Sequence, residues 1–116
     1  VGPSFYGVHK LTETQYEDLA AAIDAIAERI RALGHIAPSS FSEFTELSSL
    51  DSQPTTESAA DLIGRLVESN EIVADRMRKS VAAADEVNDV FTADLLTARI
   101  GAHEEAAWML RSLLTA

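Results

Sequence analysis

The chain has 116 residues, of which 47% are hydrophobic and 24% charged, and it contains few prolines and glycines. This composition is typical of a packed, water-soluble helical protein, so we expect residues 1–116 to form one domain rather than a disordered chain. The net charge of −10 excludes a general electrostatic attraction for nucleic acid, and no apolar run approaches the ~20 residues of a membrane span.

The first half of the chain predicts one long helix and one short one. The long helix is expected over residues 4–33, because its apolar positions keep helical spacing and Gly34 is well placed to end it. Ser40 and Glu43 have the spacing of a capping box, in which each residue satisfies a backbone amide of the other. A short helix is therefore predicted over residues 40–48.

The second half predicts two further long helices. Thr55 or Thr56 can cap the first of them, which is expected to run to about residue 83. A polar break is expected at residues 85–89, after which Asp89 begins a last helix that runs to about residue 114. No alternating strand pattern competes with these helices, so the fold class is all-α. Because an up-down bundle usually has four long helices, we expect an element before Val1 to be missing.

Four side chains of the first helix form a ridge of candidate metal ligands. An α-helix turns by about 100° per residue, so each side chain has an angular position around the helix axis. With His9 set at zero, the positions of His9, Glu13, Asp24 and Glu28 are about 0°, 40°, 60° and 100°. An apolar face that includes Tyr16 lies beside this ridge. The helical rise places Glu13 and Asp24 about 16 Å apart, so one helix cannot use both pairs in one site. Two copies of the helix that cross antiparallel would bring the first pair of one copy against the second pair of the other. This arrangement predicts a shared metal site that occurs twice per dimer.

The donor types on this ridge suit iron, because carboxylate oxygens and an imidazole nitrogen bind it well. The absence of cysteine excludes thiolate sites and disulfides, and it is compatible with a cytoplasmic protein. A simpler interpretation treats His9 as an ordinary polar residue. In the same interpretation, Asp24 and Glu28 only pair with Arg29 or Arg31 on their own helix.

Several segments of the chain, from Val1-Gly2-Pro3-Ser4-Phe5 and Val8-His9 to residues 107–111, resemble those of a known family, the DNA-protection-during-starvation (Dps) mini-ferritins. The similarity covers essentially the whole chain, and its specific part runs from His9 to Gly34. The final helix is also similar. The matching segments are Val1-Gly2-Pro3-Ser4-Phe5, Val8-His9, Tyr16, residues 24–31 with Leu33-Gly34, residues 92–96, His103-Glu104 and residues 107–111.

The resemblance implies a ferritin-like four-helix bundle with a short extra helix between the second and third bundle helices, the first helix being absent from this chain. It implies a homo-oligomer, a dodecamer built from dimers, in which His9 and Glu13 of one subunit and Asp24 and Glu28 of another form a mono- or di-iron ferroxidase centre. Zinc could substitute for iron there. The implied activity is oxidation of Fe(II) by hydrogen peroxide or dioxygen, with storage of a ferric mineral as protection against peroxide.

Two departures from the family pattern keep other functions open. Glu13 stands where the family usually has Asp, and the first helix with its iron-binding histidine is not in this sequence. The Lys-rich tail by which some members bind DNA is also absent. The alternatives are a structural DNA-compacting protein, which the charge does not support, and a helical interaction module without metal chemistry.

Acidic residues also gather around the last turn between helices. The family has iron-entry pores in this region, and Asp85, Asp89 and Asp94 are the candidate pore residues, since acids around a three-fold axis would attract Fe(II). The simpler interpretation is a solvated loop with acids favoured at a helix start. Further along, His103 lies near the apolar stripe of the last helix, and we predict that it is packed rather than a ligand.

Overall fold

The computed structural model describes residues 5–50 and 58–115 of the chain. Four helices make up this part of the molecule: α1 (Phe5–Ala32), α2 (Phe41–Leu47), α3 (Ala59–Glu86) and α4 (Val90–Leu114). No described residue lies in a strand, so the all-α prediction is confirmed for these residues. The chain forms two compact units, residues 1–47 and residues 48–116. No helix in the described residues is long and apolar enough to cross a membrane.

The end of α1 is determined by Gly34, as predicted. Gly34 has a φ of +92°, a conformation that L side chains rarely adopt. Its amide donates to the Arg31 carbonyl at 2.9 Å, and the His35 amide donates to the Ile30 carbonyl at 3.1 Å. These two bonds form a Schellman motif, which satisfies carbonyls that the end of the helix would otherwise leave unpaired.

The capping box predicted at the start of α2 is present. The Glu43 amide donates to the Ser40 hydroxyl oxygen at 3.2 Å, and the Ser40 amide donates to the Glu43 carboxylate at 3.3 Å. The Ser40 hydroxyl also donates to that carboxylate at 2.8 Å. This last hydrogen bond is the main reason that the pKa of Glu43 lies below its ordinary value.

The bounds of α3 differ from the prediction at both ends. Ser58 is its N-cap and accepts a hydrogen bond from the Asp61 amide at 3.2 Å, whereas Thr55 and Thr56 lie outside the described residues. The helix continues to Glu86 rather than stopping near residue 83. It ends later because Asn88 is the residue in the left-handed conformation, with a φ of 59°, and it closes a second Schellman motif. Asp85 is therefore helical.

The α3–α4 pair has a core of mostly small side chains, in which Leu110 is 0% exposed. Small residues at the contact let two helix backbones approach closely. Two polar residues, Arg99 and His103, are buried in the same unit. The exposed side carries ion pairs from Arg78 to Glu104 and from Arg111 to Glu71. The core residues are Ile63, Val67, Ala74, Ala84, Ala93, Ala107 and Leu110.

Candidate metal site

The His9–Glu13 pair on α1 is the best-formed candidate for binding a metal. The Nε2 atom of His9 lies 3.8 Å from Oε2 of Glu13, and the two side chains are 61% and 47% exposed. Two ligand atoms that each lie about 2.0–2.2 Å from a metal ion can be at most about 4.4 Å apart. The observed separation therefore allows both atoms to bind the same ion, with the ion's remaining positions open to solvent.

Asp24 and Glu28 lie further along the same helix, one turn apart and both exposed. Since α1 is continuous from Phe5 to Ala32, the ridge predicted from the sequence is preserved. The structure places His9 beside Glu13. Asp24 and Glu28 are separated from that pair along the axis of α1 by the rise of the intervening residues. Accordingly, no group of three or more His, Asp or Glu side chains within residues 5–50 and 58–115 is placed to hold a metal.

An apolar surface borders the ligand ridge. Tyr16, Leu19 and Ile23 are 74%, 41% and 65% exposed, and α1 as a whole has no buried residue. On a helical wheel these three side chains lie at about 280–340°, next to His9 at zero. Exposed apolar side chains that adjoin one another in this way mark a surface that another element or subunit covers.

The three candidate pore acids do not share one environment. Asp85 lies in the last turn of α3, and Asp94 is exposed on α4. Asp89 is the N-cap of α4, and its carboxylate accepts hydrogen bonds from the Thr92 amide at 3.1 Å and from the Thr92 hydroxyl at 2.6 Å. The helix-capping interpretation therefore describes Asp89, whereas the carboxylates of Asp85 and Asp94 face solvent.

His103 is packed in the interior, as predicted. Its Nδ1 lies 2.8 Å from Oδ1 of Asn70 on α3, and its Nε2 lies 3.1 Å from Nη2 of Arg99. Both ring nitrogens are engaged within the protein. The sequence contained no local signal for this network, because Asn70 is 33 positions away along the chain.

Comparison with known proteins identifies the family. The ferritin-like domain model matches residues 1–116. The chain is 33% identical over 113 residues to DNA protection during starvation protein 2 of Bacillus anthracis, a match that covers 97% of this chain and 77% of that protein. The chain belongs to the Dps family of ferritin-like proteins.

Two further similarities support this assignment. The crystal structure of antigen TpF1 from Treponema pallidum superposes with a TM-score of 0.91 at 31% identity, covering 100% of this chain and 75% of that one. The ferritin-like fold is thereby confirmed, and the predicted short extra helix is present as α2. An uncharacterised low temperature-induced protein of Nostoc is 41% identical over 116 residues, and the chain spans 65% of its length.

Proposed function

We propose that this Dps-family chain is a subunit of an iron-oxidising and iron-storing protein that protects against peroxide. In this proposal Fe(II) is the substrate, and the protein acts as a ferroxidase. Membership of the family supports iron storage in general. The specific site and its reaction rest on the residues of α1.

The observation that carries the proposal is the pairing of His9 with Glu13 on α1. His9 and Glu13 place two donor atoms within reach of one ion, on an exposed ridge bordered by apolar side chains. A second α1 crossing antiparallel would cover the apolar surface and add Asp24 and Glu28 of the partner subunit to the first pair. Such a two-fold arrangement produces two identical sites per dimer.

The ligands of this site come in two pairs, one from each subunit. The imidazole of His9 and the carboxylate of Glu13 hold Fe(II), and the two carboxylates from the other subunit complete its coordination. Negatively charged oxygen ligands favour Fe(III) over Fe(II), so the site assists loss of the electron. Two Fe(II) ions each give one electron to hydrogen peroxide, which takes up two protons and becomes two molecules of water. Dioxygen is the alternative acceptor.

Storage requires a closed assembly, and we propose the dodecamer expected of the family. Fe(II) would enter at a three-fold axis between acidic side chains, among which Asp85 and Asp94 are exposed. A narrow channel lined by one sign of charge raises the local concentration of the opposite ion. Oxidised iron would then move inward and form the mineral.

A subunit-mixing experiment tests the shared site directly. His9→Ala/Glu13→Ala subunits and Asp24→Ala/Glu28→Ala subunits are each expected to be inactive in rapid Fe(II) oxidation. When the two are dissociated, mixed and reassembled, about half of the dimers should be mixed, and each should hold one intact site of two. Activity should therefore recover to about a quarter of the parent value.

Recovery of this size cannot arise from a site contained within one subunit. Mixtures that stay inactive, although both variants are helical and assembled, would reject the shared site. A parent protein that does not bind Fe(II) at all would instead favour a helical interaction module without metal chemistry.

DNA compaction is the second candidate, favoured by the names of the relatives. The net charge of −10 weighs against it, because binding to the phosphate backbone depends on Lys and Arg. Mobility shifts of duplex DNA, measured over a range of salt concentrations, would separate the two functions.

A further inference from the structure

We propose that Phe5 is a positioning residue for His9, an inference that rests on the proposed metal site. The rings of Phe5 and His9 are stacked, with their centroids 5.9 Å apart and their planes at 12° to each other. The two residues lie one helical turn apart at the start of α1, where their side chains share a face.

The stack matters because the imidazole ring of His9 is exposed, so the rest of the protein restricts its orientation only weakly. Its side chain is 61% exposed and lies at the surface of the helix, where its Nε2 atom is 3.8 Å from Oε2 of Glu13. An exposed side chain of this kind exchanges between staggered rotamers on a fast timescale. Contact with a flat aromatic face restricts the ring to orientations parallel to that face.

The restricted orientation is the one that a metal needs. With the ring against Phe5, Nε2 of His9 lies 3.8 Å from Oε2 of Glu13, a separation that allows both atoms to reach one ion. Ordering the ligand before the metal arrives reduces the entropy that binding must overcome. Phe5 therefore increases metal affinity without itself touching the metal.

The chain offers a matched control beside Phe5. Tyr6 is a neighbouring aromatic of similar size, 70% exposed, but its ring lies 5.9 Å from the ammonium of Lys10 instead of on His9. Phe5→Leu and Tyr6→Leu thus remove equivalent aromatic surface from adjacent positions. Only the first removes the stack.

The experiment measures Co(II) binding to the full protein by its visible absorption, with no oxidation step. Phe5→Leu should weaken binding by about two- to tenfold, the factor that corresponds to a single aromatic pair. Tyr6→Leu should bind as the parent does, and Phe5→Trp, which retains a stacking face, should restore affinity. Circular dichroism checks that each variant keeps its helical content.

The outcomes separate this inference from the proposed site. If His9→Ala loses Co(II) while Phe5→Leu binds with parental affinity and spectrum, the site stands and the positioning role of Phe5 is overturned. If Phe5→Trp binds as weakly as Phe5→Leu, the stack is likewise not responsible. If His9→Ala binds Co(II) as well as the parent, the proposed site itself fails.

Discussion

His103 donates a hydrogen bond from Nδ1 to Oδ1 of Asn70, 2.8 Å away, and so joins α4 to α3 through two side chains inside the helix pair. The orientation of the Asn70 amide is determined by its own nitrogen, which donates to the Leu66 carbonyl at 2.8 Å. Since Arg99 can only donate, Nε2 of His103 must accept its hydrogen bond. The network therefore requires the neutral histidine with its proton on Nδ1.

This network predicts a large difference between two substitutions of His103. His103→Leu leaves the half-buried Asn70 oxygen and the buried Arg99 guanidinium without this partner, and should lower the free energy of unfolding by about 2–4 kcal/mol. His103→Gln can donate to Asn70 and accept from Arg99, so it should cost less than ~1 kcal/mol. Urea denaturation followed by circular dichroism measures both. His35→Leu, at an exposed position, is the control and should change stability little.

The capping box makes a prediction about pH. The hydrogen bond from the Ser40 hydroxyl holds the pKa of Glu43 below its ordinary value, so folding favours the charged carboxylate. The stabilisation of α2 is present above the unfolded-state pKa and is lost as the pH falls through the folded-state pKa. Ser40→Ala should move the NMR titration midpoint of Glu43 upward. Thr45→Ala, whose hydroxyl bonds the Phe41 carbonyl instead, should leave that midpoint unchanged; an equal shift in both variants would contradict the assignment.

Iron entry can be tested with charge changes that keep α4 capped. Asn is as good an N-cap as Asp, so a variant with Asp85, Asp89 and Asp94 all changed to Asn should fold normally. It should take up iron more slowly than the parent at low salt, and the difference should shrink at high salt, where the field is screened. A control with the same charge loss uses three exposed acids elsewhere, Glu46, Asp61 and Glu68. Equal slowing in the two variants would indicate a general charge effect rather than a pore.

The core of the α3–α4 pair predicts that Leu110→Ala is strongly destabilising. Leu110 is 0% exposed, and removing a fully buried leucine side chain costs about 2–5 kcal/mol because a cavity remains. Leu114→Ala, four residues later and 43% exposed, should cost no more than ~1 kcal/mol. Denaturation midpoints that fall equally for the two variants would show that burial does not account for the effect.

The sequence by itself determined the features that depend on neighbours along the chain. The stop at Gly34, the Ser40–Glu43 capping box and the cap at Asp89 are all present as predicted. So is the ridge on α1 that carries His9 and Glu13, because helical spacing alone places residues four apart on one face. These features involve contacts between residues no more than five positions apart.

The tertiary structure decided what depends on a second helix. It buried Arg99, whose charge would place it at the surface, and it supplied the packed His103 with a hydrogen-bond partner, Asn70 on α3. The later end of α3, at Glu86, is by contrast a local feature, because the left-handed Asn88 closes a Schellman motif there. The pairing of His9 and Glu13 with Asp24 and Glu28 stays a prediction, since one α1 holds the two pairs about 16 Å apart along its axis and only a second copy can bring them together.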